Sequence, residues 1–248
     1  MRSRILGYHE IVEGPSDSFY SLSAEQFSHQ LAVFNALATA GGPAVDITFD
    51  DGHASNARVA APLLHAHART ARFFVTAGWI GQREGFMSWA ELGELARQGH
   101  QVGCHGLTHR FLTQLDTADL RAELRDARRL LEDRLGQAVT GISLPGGRCN
   151  RRVLDMCAET GYQRVYGSVP WKEGGDRAGI AFEGRLVMNR KMSQAWLQRY
   201  VRGDLAPYLA IRTLHTTRET LKSLLGDRLY HRAWSLLTGR SGMQANAR

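Results

Sequence analysis

The sequence has 248 residues, of which 43% are hydrophobic and 22% are charged. This length and composition are typical of a protein with one sizeable core, and they exclude a wholly disordered, collagen-like or coiled-coil chain. The net charge of +7 comes from 31 Lys and Arg against 24 Asp and Glu, but the basic residues are scattered, so we expect no nucleic-acid partner.

Short apolar runs alternate with longer amphipathic stretches along the chain. Two helices are expected to begin at Ser23 and Ser88, each followed three residues later by Gln or Glu in a capping box. Further helices are predicted over Leu115–Leu135 and Cys149–Thr160, each followed by a glycine. Seven apolar runs are predicted as strands: Arg4–Tyr8, Val45–Phe49, Ala71–Thr76, Gln101–Cys104, Thr140–Leu144, Gln163–Tyr166 and Phe182–Val187.

This alternation predicts an α/β fold with a parallel sheet and right-handed crossovers. About seven strand–helix units over residues 1–192 favour an incomplete or distorted barrel, with an open doubly wound sheet as the alternative. The chain from Ser193 onward is helical in pattern and rich in Leu and Arg. We expect residues 193–240 to form extra helices packed on the barrel, or lying on a membrane or partner, and 241–248 to be disordered.

No apolar run reaches the length of about eighteen residues that a membrane-spanning helix needs. The first nine residues are basic and end at His9 without a long apolar stretch, so we expect no secretory signal and a cytoplasmic location, although a chain trimmed of its leader would look the same. The three cysteines, Cys104, Cys149 and Cys157, are expected to be reduced thiols. The positive charge leaves open an anionic carrier or peripheral membrane contact.

Polar or conformationally unusual residues follow four of the predicted strands. In α/β barrels the active site lies at the carboxyl ends of the strands, so these residues are the candidates for chemistry. They are His9, Asp50 and Asp51, His105 and His109, and Pro145, Gly146 and Gly147.

The two adjacent carboxylates, Asp50 and Asp51, repel each other unless a cation lies nearby or one has another role. A helix N-cap would explain one of them but not both. His105 and His109 are four residues apart, which lets both imidazoles reach one ion. One carboxylate with two imidazoles is the ligand set of an open, catalytic metal site.

These residues resemble two motifs of the polysaccharide deacetylases, the NodB-homology domain of carbohydrate esterase family 4. Residues 48–52, Thr-Phe-Asp-Asp-Gly, resemble the first motif, and residues 99–109, which end in His105 and His109, resemble the second. Residues 144–147, Leu-Pro-Gly-Gly, resemble a degenerate third motif. The resemblance covers roughly residues 4–190 and implies a TIM-like (β/α)7 barrel that hydrolyses acetamides, or sometimes acetate esters, on sugars.

The resemblance also implies roles for individual residues. Asp50 would be the general base, and Asp51 would bind one divalent metal ion beside His105 and His109. Zinc is the expected ion, with cobalt or another divalent ion as the alternative. The backbone of Gly146, after Pro145, would help to hold the oxyanion, although a plain turn is the alternative there.

The chain departs from the family pattern in several places. Ser143 stands where the family often has an arginine that steadies the base, and either Arg148 or Arg185 could take that place. Gly106 stands where a loop-supporting Ser or Thr is common. Trp171 is a candidate for the family's aromatic groove residue, with an ordinary core or surface aromatic as the alternative.

Two histidines compete for the general acid that the family's fifth motif supplies. His215 follows Leu214 late in the chain, within a helical pattern. His9 ends an apolar strand and resembles the Tyr-His element of a circularly arranged subgroup that includes deacetylases of poly-N-acetylglucosamine export. Because the first strand of a closed barrel neighbours the last, we favour His9, with His215 or neither histidine as the alternatives.

The sequence thus predicts a metal-dependent hydrolase that removes acetyl groups from N-acetylated amino sugars of a glycan, polysaccharide or glycolipid precursor. Its expected partner is an acetylated amino-sugar glycan or a carrier-linked saccharide. The alternatives are a sugar O-acetyl esterase and a catalytically inactive carbohydrate-binding relative.

Overall fold

The computed structural model describes residues 3–171, 174–177, 179–217 and 220. The chain divides into two compact units, Met1–Gln194 and Ala195–Arg248. Among the described residues, no helix combines the length and the apolar character needed to cross a membrane.

Strands and helices alternate along the first unit. Its described strands are β1 (Arg4–Tyr8), β2 (Glu10–Val12), β3 (Ser21–Ser23), β4 (Val45–Phe49), β5 (Arg72–Val75), β6 (Gln101–Cys104), β7 (Gly141–Ser143), β8 (Arg164–Gly167), β9 (Gly174–Arg177), β10 (Ile180–Gly184) and β11 (Leu186–Val187). Its α-helices are α1 (Ala24–Thr39), α2 (Ala61–Ala66), α3 (Trp89–Arg97), α4 (Thr117–Leu135) and α5 (Arg151–Glu159). A π-helical turn at Asn56–Ala60 and 3-10 turns at Ala77–Trp79, Leu112–Gln114 and Pro145–Gly147 complete it.

Eight parallel strands form a nearly closed barrel. Their order is β11-β1-β4-β5-β6-β7-β8-β10, and β9 pairs antiparallel with β10. Only Arg185 separates β10 from β11, and these two strands pair with β8 and β1 respectively. The continuous segment formed by β10 and β11 therefore pairs with both ends of the sheet and closes it. Because β10 and β11 together count as one barrel strand, the eight strands make seven barrel positions. The predicted (β/α)7 barrel is confirmed.

The barrel strands are apolar because both of their faces are covered, as is usual for parallel strands. Leu6, Phe49, Phe73 and Val165 are almost fully buried inside this unit. The rings of Phe49 and Phe73, on neighbouring strands, stack with their centroids 4.9 Å apart. Burying each such side chain contributes about 1.5–3 kcal/mol, so the strand ends are held on a rigid core.

Side-chain caps set where the helices begin. The predicted capping boxes are both present: Ser23 Oγ accepts from the Gln26 N–H at 3.1 Å, and Ser88 Oγ accepts from the Glu91 N–H at 3.2 Å. Each box satisfies two backbone donors that the first helical turn leaves unpaired.

Several element boundaries differ from the prediction. Helices α4 and α5 each begin two residues later than expected, because Asp116 and Asn150 are their N-caps and accept from backbone N–H groups. The predicted strand Phe182–Val187 is divided into β10 and β11. The short parallel pair β2–β3 and the strand β9 were not predicted, since three or four residues carry too little periodicity.

The second unit is helical where it is described. Helix α6 spans Gln194–Arg202, and residues 205–217 are also helical. The rings of Trp196 and Tyr200 stack with centroids 5.8 Å apart on successive turns of α6. The predicted packing of residues 193–240 on the barrel stays a prediction. Residues 218, 219 and 221–240 of that segment lie outside the described residues, as does the predicted disordered tail 241–248.

Candidate active site

The carboxyl ends of four barrel strands carry the predicted site residues. His9 follows β1, Asp50 and Asp51 follow β4, and His105 follows β6; Pro145 lies two residues beyond β7. Backbone hydrogen bonds continue the pairing past the strand ends, with the Asp50 N–H donating to the Tyr8 carbonyl at 2.9 Å. Because the strands are parallel, these residues lie on one rim of the barrel.

Asp51, His105 and His109 form a compact three-residue cluster. Asp51 Oδ1 lies 3.2 Å from His105 Nε2 and 3.3 Å from His109 Nε2. The three ligand atoms lie within 4.8 Å of one another. A carboxylate and two imidazoles at this spacing are the donor set of a zinc-type site that keeps positions open for other ligands.

The chemistry of the cluster fits a cation. Asp51 Oδ1 is buried and, among the described residues, makes no hydrogen bond of good geometry, although two imidazole nitrogens face it; such an oxygen costs free energy unless a nearby charge compensates it. His105 Nδ1 lies 2.8 Å from the Ser143 carbonyl oxygen. In the neutral imidazole, that contact places the proton on Nδ1 and leaves the Nε2 lone pair directed at Asp51, as in histidines that bind metals.

Electrostatics supports the same conclusion. Burial alone would raise the pKa of Asp51, but the facing imidazoles of His105 and His109 hold it well below its usual range. Burial would lower the pKa of His105, but the carboxylates of Asp50 and Asp51 raise it overall. The cluster is therefore a buried carboxylate that attracts positive charge.

Backbone strain is concentrated at this cluster. Asp51 has φ of 73° and His109 has φ of 66°, and they are two of the three non-glycine residues with positive φ among those described. Such conformations cost on the order of 1–3 kcal/mol each and persist where surrounding structure imposes them. Here they direct both side chains toward one point.

Asp50 forms a buried bidentate ion pair with Arg185. The guanidinium donates to Asp50 Oδ1 and Oδ2, each at 2.8 Å, and also to Thr48 Oγ1 at 2.9 Å and Ser143 Oγ at 2.6 Å. Burial raises the pKa of Asp50, but the Arg185 charge and hydrogen bonds lower it below its usual value. Asp50 is thus held as a carboxylate beside Asp51.

Arg185 is therefore the arginine that supports Asp50, which the sequence left undecided between Arg185 and Arg148. Ser143, at the position where the family often has that arginine, is itself a partner of Arg185. Arg148 instead lies over the ring of Phe111, 4.2 Å from its centroid.

His9 lies at the same rim. Its ring stacks on Tyr20, with centroids 4.7 Å apart, and its carbonyl accepts a hydrogen bond from Asn56 Nδ2. Its Nδ1 atom is buried and has no hydrogen-bond partner in the part of the chain that the structure describes. Burial lowers the pKa of His9, although the nearby charges of Asp51 and Asp50 oppose that shift.

The turn Pro145–Gly147 has backbone that only glycine adopts readily. Gly146 and Gly147 have φ of 64° and 65°, and a Cβ on Gly146 would lie 2.6 Å from the Phe111 ring. Pro145 is buried and Gly146 is exposed. The exposed backbone of Gly146 is open to a bound molecule, which agrees with the predicted oxyanion role without testing it.

Aromatic and polar neighbours of the cluster were not predicted. Trp79 stacks on His109 with centroids 5.2 Å apart, and Phe86 stacks on His53 at 4.6 Å. His53 Nε2 lies 3.3 Å from Glu10 Oε1 and 3.8 Å from Asp51 Oδ2. A lone Trp or Phe in a loop carries no sequence signal for this role, since only the fold brings it to the rim.

Trp171 and His215 are the two remaining candidate residues. Trp171 is a half-buried residue of the turn that follows β8, and its role as a groove aromatic stays a prediction. His215 lies in the helix of residues 205–217, within the second unit.

The fold and the rim define a TIM-like barrel with a carboxylate pair and a metal-type cluster at its strand ends. The family model for polysaccharide deacetylases matches residues 38–165, so this chain belongs to the polysaccharide deacetylase family. The match includes Asp50, Asp51, His105 and His109 and ends before Arg185.

Individual relatives agree with this assignment. Over 155 residues, 62% of the chain, it is 28% identical to YxkH of Bacillus subtilis and covers 55% of that protein. Over 112 residues, 45% of the chain, it is 30% identical to the peptidoglycan-N-acetylglucosamine deacetylase PgdA of Listeria monocytogenes and covers 23% of it. The chain therefore spans about half, or less, of the length of these relatives.

Solved structures share the fold. IcaB from Ammonifex degensii is 26% identical, with a TM-score of 0.67 over 79% of this chain and 94% of that one. The deacetylase PplD of Streptococcus pyogenes, at 23% identity, has a TM-score of 0.68 over 80% of this chain and 97% of that one.

Proposed function

We propose that this chain is a metal-dependent hydrolase that removes acetyl groups from N-acetylated amino sugars of a glycan, polysaccharide or glycolipid precursor. One observation carries the proposal: an arginine-paired carboxylate, Asp50, lies directly beside the Asp51–His105–His109 cluster on one rim. Hydrolysis of an acetamide needs a general base to activate water and, beside it, a site that polarises the acetyl carbonyl.

Asp51, His105 and His109 would hold one divalent ion, for which zinc suits two imidazoles and a carboxylate; cobalt is the alternative. When bound, the ion would supply Lewis-acid polarisation of the acetyl carbonyl and a lowered pKa of water. Ser143, through His105 Nδ1, fixes the imidazole tautomer that such binding requires.

Asp50 is proposed to take the proton of the attacking water as its oxygen adds to the acetyl carbon. Arg185 keeps Asp50 ionised and fixes the orientation of its two oxygens. The Gly146 N–H, next to Pro145, would donate to the carbonyl oxygen as negative charge develops on it.

His9 is proposed to donate a proton to the sugar nitrogen as the C–N bond breaks, so that the products are acetate and an amine. An amide anion is too basic to leave without that proton. The proposal is supported by the buried Nδ1 of His9, which lies at the rim and has no hydrogen-bond partner among the described residues.

The names of the relatives support the proposed substrate class. PgdA is named a peptidoglycan-N-acetylglucosamine deacetylase, and a protein of Pestalotiopsis that is 25% identical over 139 residues is named a chitin deacetylase. Both names describe N-acetylated sugar polymers. A carrier-linked saccharide is the further proposal, supported by the net charge of +7; the cytoplasmic location stays a prediction.

The test is acetate release from an N-acetylated chitooligosaccharide compared with release from an aryl acetate. We expect release from both, with the first dependent on an added divalent ion. Release from the aryl acetate and from O-acetylated sugars alone would indicate an O-acetyl esterase. Saccharide binding without any release would indicate an inactive relative.

The metal assignment has its own test. His105→Ala should remove both the ion, measured by elemental analysis, and the activity, because one of three ligands is lost. Metal affinity should also fall at acid pH, since the imidazoles must be deprotonated to bind. A folded, active preparation that contains no metal would contradict the assignment.

A further inference from the structure

The loop that joins the two histidines of the cluster has an unfavourable backbone. Gly106 has φ of 84° and His109 has φ of 66°. A non-glycine residue at positive φ keeps that conformation only when neighbouring groups impose it. Something outside the loop must therefore hold His109 in place.

One side of this loop rests on the 3-10 turn Ala77–Trp79. The Ala77 and Gly78 N–H groups donate to the carbonyls of Gly106 and Leu107 at 3.0 and 2.9 Å. Trp79 stacks on the His109 ring. These contacts restrain the loop from the side of β5.

The other side of the loop is held by Glu123, from the middle of α4. Its side chain is 1% exposed, and its Oε1 accepts from the Thr108 N–H at 2.6 Å while its Oε2 accepts from Thr108 Oγ1 at 2.9 Å. Gly106 makes room for it, since a Cβ there would lie 3.0 Å from Glu123 Oε1.

The Glu123 carboxylate binds the histidine loop through both of its oxygens. Burying a carboxylate costs free energy unless its oxygens accept hydrogen bonds. Both oxygens of Glu123 accept hydrogen bonds from Thr108, the residue that precedes His109. Arg110, on the other side of His109, comes only to 4.0 Å from Oε2. The carboxylate thus holds the loop where it turns toward Asp51.

We infer that Glu123 is a positioning residue for the metal cluster, which acts through Thr108 to set the place of His109. This inference rests on the proposed metal-dependent function. It also accounts for Gly106, where the family often has a loop-supporting hydroxyl: in this chain the support comes from Glu123 and the Thr108 hydroxyl instead.

The same helix offers a matched control. Glu132, nine residues further along α4, accepts from the Val139 N–H at 2.9 Å and from Arg128 Nε at 2.9 Å. It too connects α4 to a loop through a backbone N–H, but that loop leads into β7 from the end opposite the rim. A Glu→Gln change at position 132, where the side chain is 27% exposed, therefore makes the same substitution on the same helix without touching the metal cluster.

The experiment measures the zinc dissociation constant of the full chain by competition with a coloured chelator. We expect Glu123→Gln to weaken zinc binding about 10–100-fold, the usual effect of losing a group that orients a ligand, and Thr108→Val to weaken it about tenfold. Thr108→Ser, which keeps the hydroxyl, should restore the parent value, and Glu132→Gln should leave it unchanged. A cooperative thermal unfolding transition of each metal-free variant shows that it is folded. If Glu123→Gln does not fold, the zinc affinity of Thr108→Val tests the positioning role instead.

The outcomes separate this inference from the proposed function. A parent that binds zinc, with unchanged affinity in folded Glu123→Gln and Thr108→Val, would overturn the positioning role alone. Equal weakening by Glu123→Gln and Glu132→Gln would overturn it as well, because a general loss of stability would then be the cause. A folded parent that binds neither zinc nor cobalt would overturn the metal site, and the positioning role with it.

Discussion

At the scale of single residues, the Asp50–Arg185 pair joins groups that lie 135 positions apart in the chain. The pair is buried, and each charge satisfies the other through two hydrogen bonds. Removing one partner of such a pair leaves an uncompensated charge in the interior, which is far more costly than the net contribution of the intact pair.

Arg185→Met should therefore lower the free energy of unfolding by about 3–5 kcal/mol at pH 7. In the parent, the pKa of Asp50 is depressed in the folded state. The contribution of ionised Asp50 to the free energy of unfolding is therefore fully present above the ordinary carboxyl pKa, and it is lost as the pH falls from there through the depressed pKa. In the variant, burial without the arginine raises the pKa of Asp50, so ionised Asp50 destabilises the protein at pH 7 and protonation relieves this.

The difference in unfolding free energy between Arg185→Met and the parent should accordingly shrink between pH 7 and pH 4, as measured by denaturant titration at each pH. Arg185→Lys is the comparison variant, because it keeps the charge but cannot form the bidentate pair. A pH-independent difference would show that Asp50 does not remain buried and unpaired.

The proposed base is tested by Asp50→Asn, which keeps the shape of the side chain but accepts no proton. We expect kcat for N-deacetylation to fall by about 10²–10⁴-fold while metal content stays at the parent level. Asp46→Asn is the control on the same strand, because Asp46 is exposed and its carboxylate accepts a hydrogen bond from Ser3 Oγ, away from the cluster. Near-normal turnover of metal-loaded Asp50→Asn would identify Asp50 as the wrong base.

The proposed acid is tested by comparing His9→Ala with His215→Ala. Loss of His9 should depress N-deacetylation about 10²–10⁴-fold and spare aryl acetates and metal content, because an aryl oxide leaves without a proton. His215→Ala should change neither activity. The reverse pattern would assign the acid to His215 in the second unit.

At the scale of elements, the glycine turn after β7 differs from an ordinary glycine at a helix end. Gly146 and Gly136 have nearly the same φ, 64° and 66°. A Cβ on Gly146 would meet the Phe111 ring at 2.6 Å, whereas nothing lies within 4 Å of one on Gly136. A side chain at either position would therefore strain the backbone, but only a side chain at Gly146 would also collide with a neighbouring group.

Gly136→Ala should lower the free energy of unfolding by about 1 kcal/mol and leave kcat/KM unchanged. Gly146→Ala should cost more stability and also lower kcat/KM, because Phe111 connects this turn to the loop of His109. Unfolding curves and steady-state kinetics on both variants check this. Equal effects of the two substitutions on kcat/KM would contradict a role of the Gly146 turn in catalysis.

At the scale of the whole molecule, the net charge of +7 bears on the proposed carrier-linked substrate. If the charge attracts an anionic carrier, kcat/KM for a nucleotide- or polyprenyl-phosphate-linked sugar should fall as salt is raised from low to physiological levels. A neutral chitooligosaccharide should show no such change. Equal salt dependence for both substrates would contradict the electrostatic part of the proposal.

The local features of this chain could be predicted from its sequence because they depend on short spacings. Apolar runs of strand length predicted the barrel strands, and capping residues predicted where α1 and α3 begin. Asp50, Asp51, His105 and His109 were recognisable because each pair lies within five residues at a strand end. The resemblance to a family supplied their expected roles.

The features that needed the tertiary structure all depend on contacts between distant parts of the chain. The choice of Arg185 over Arg148 follows from the closure of the barrel, where the strand interrupted at Arg185 pairs with β8 on one side and β1 on the other. Glu123 reaches Thr108 only because α4 packs beneath the histidine loop. Periodicity encodes which residues are buried, but the order and register of the strands decide which buried residues meet.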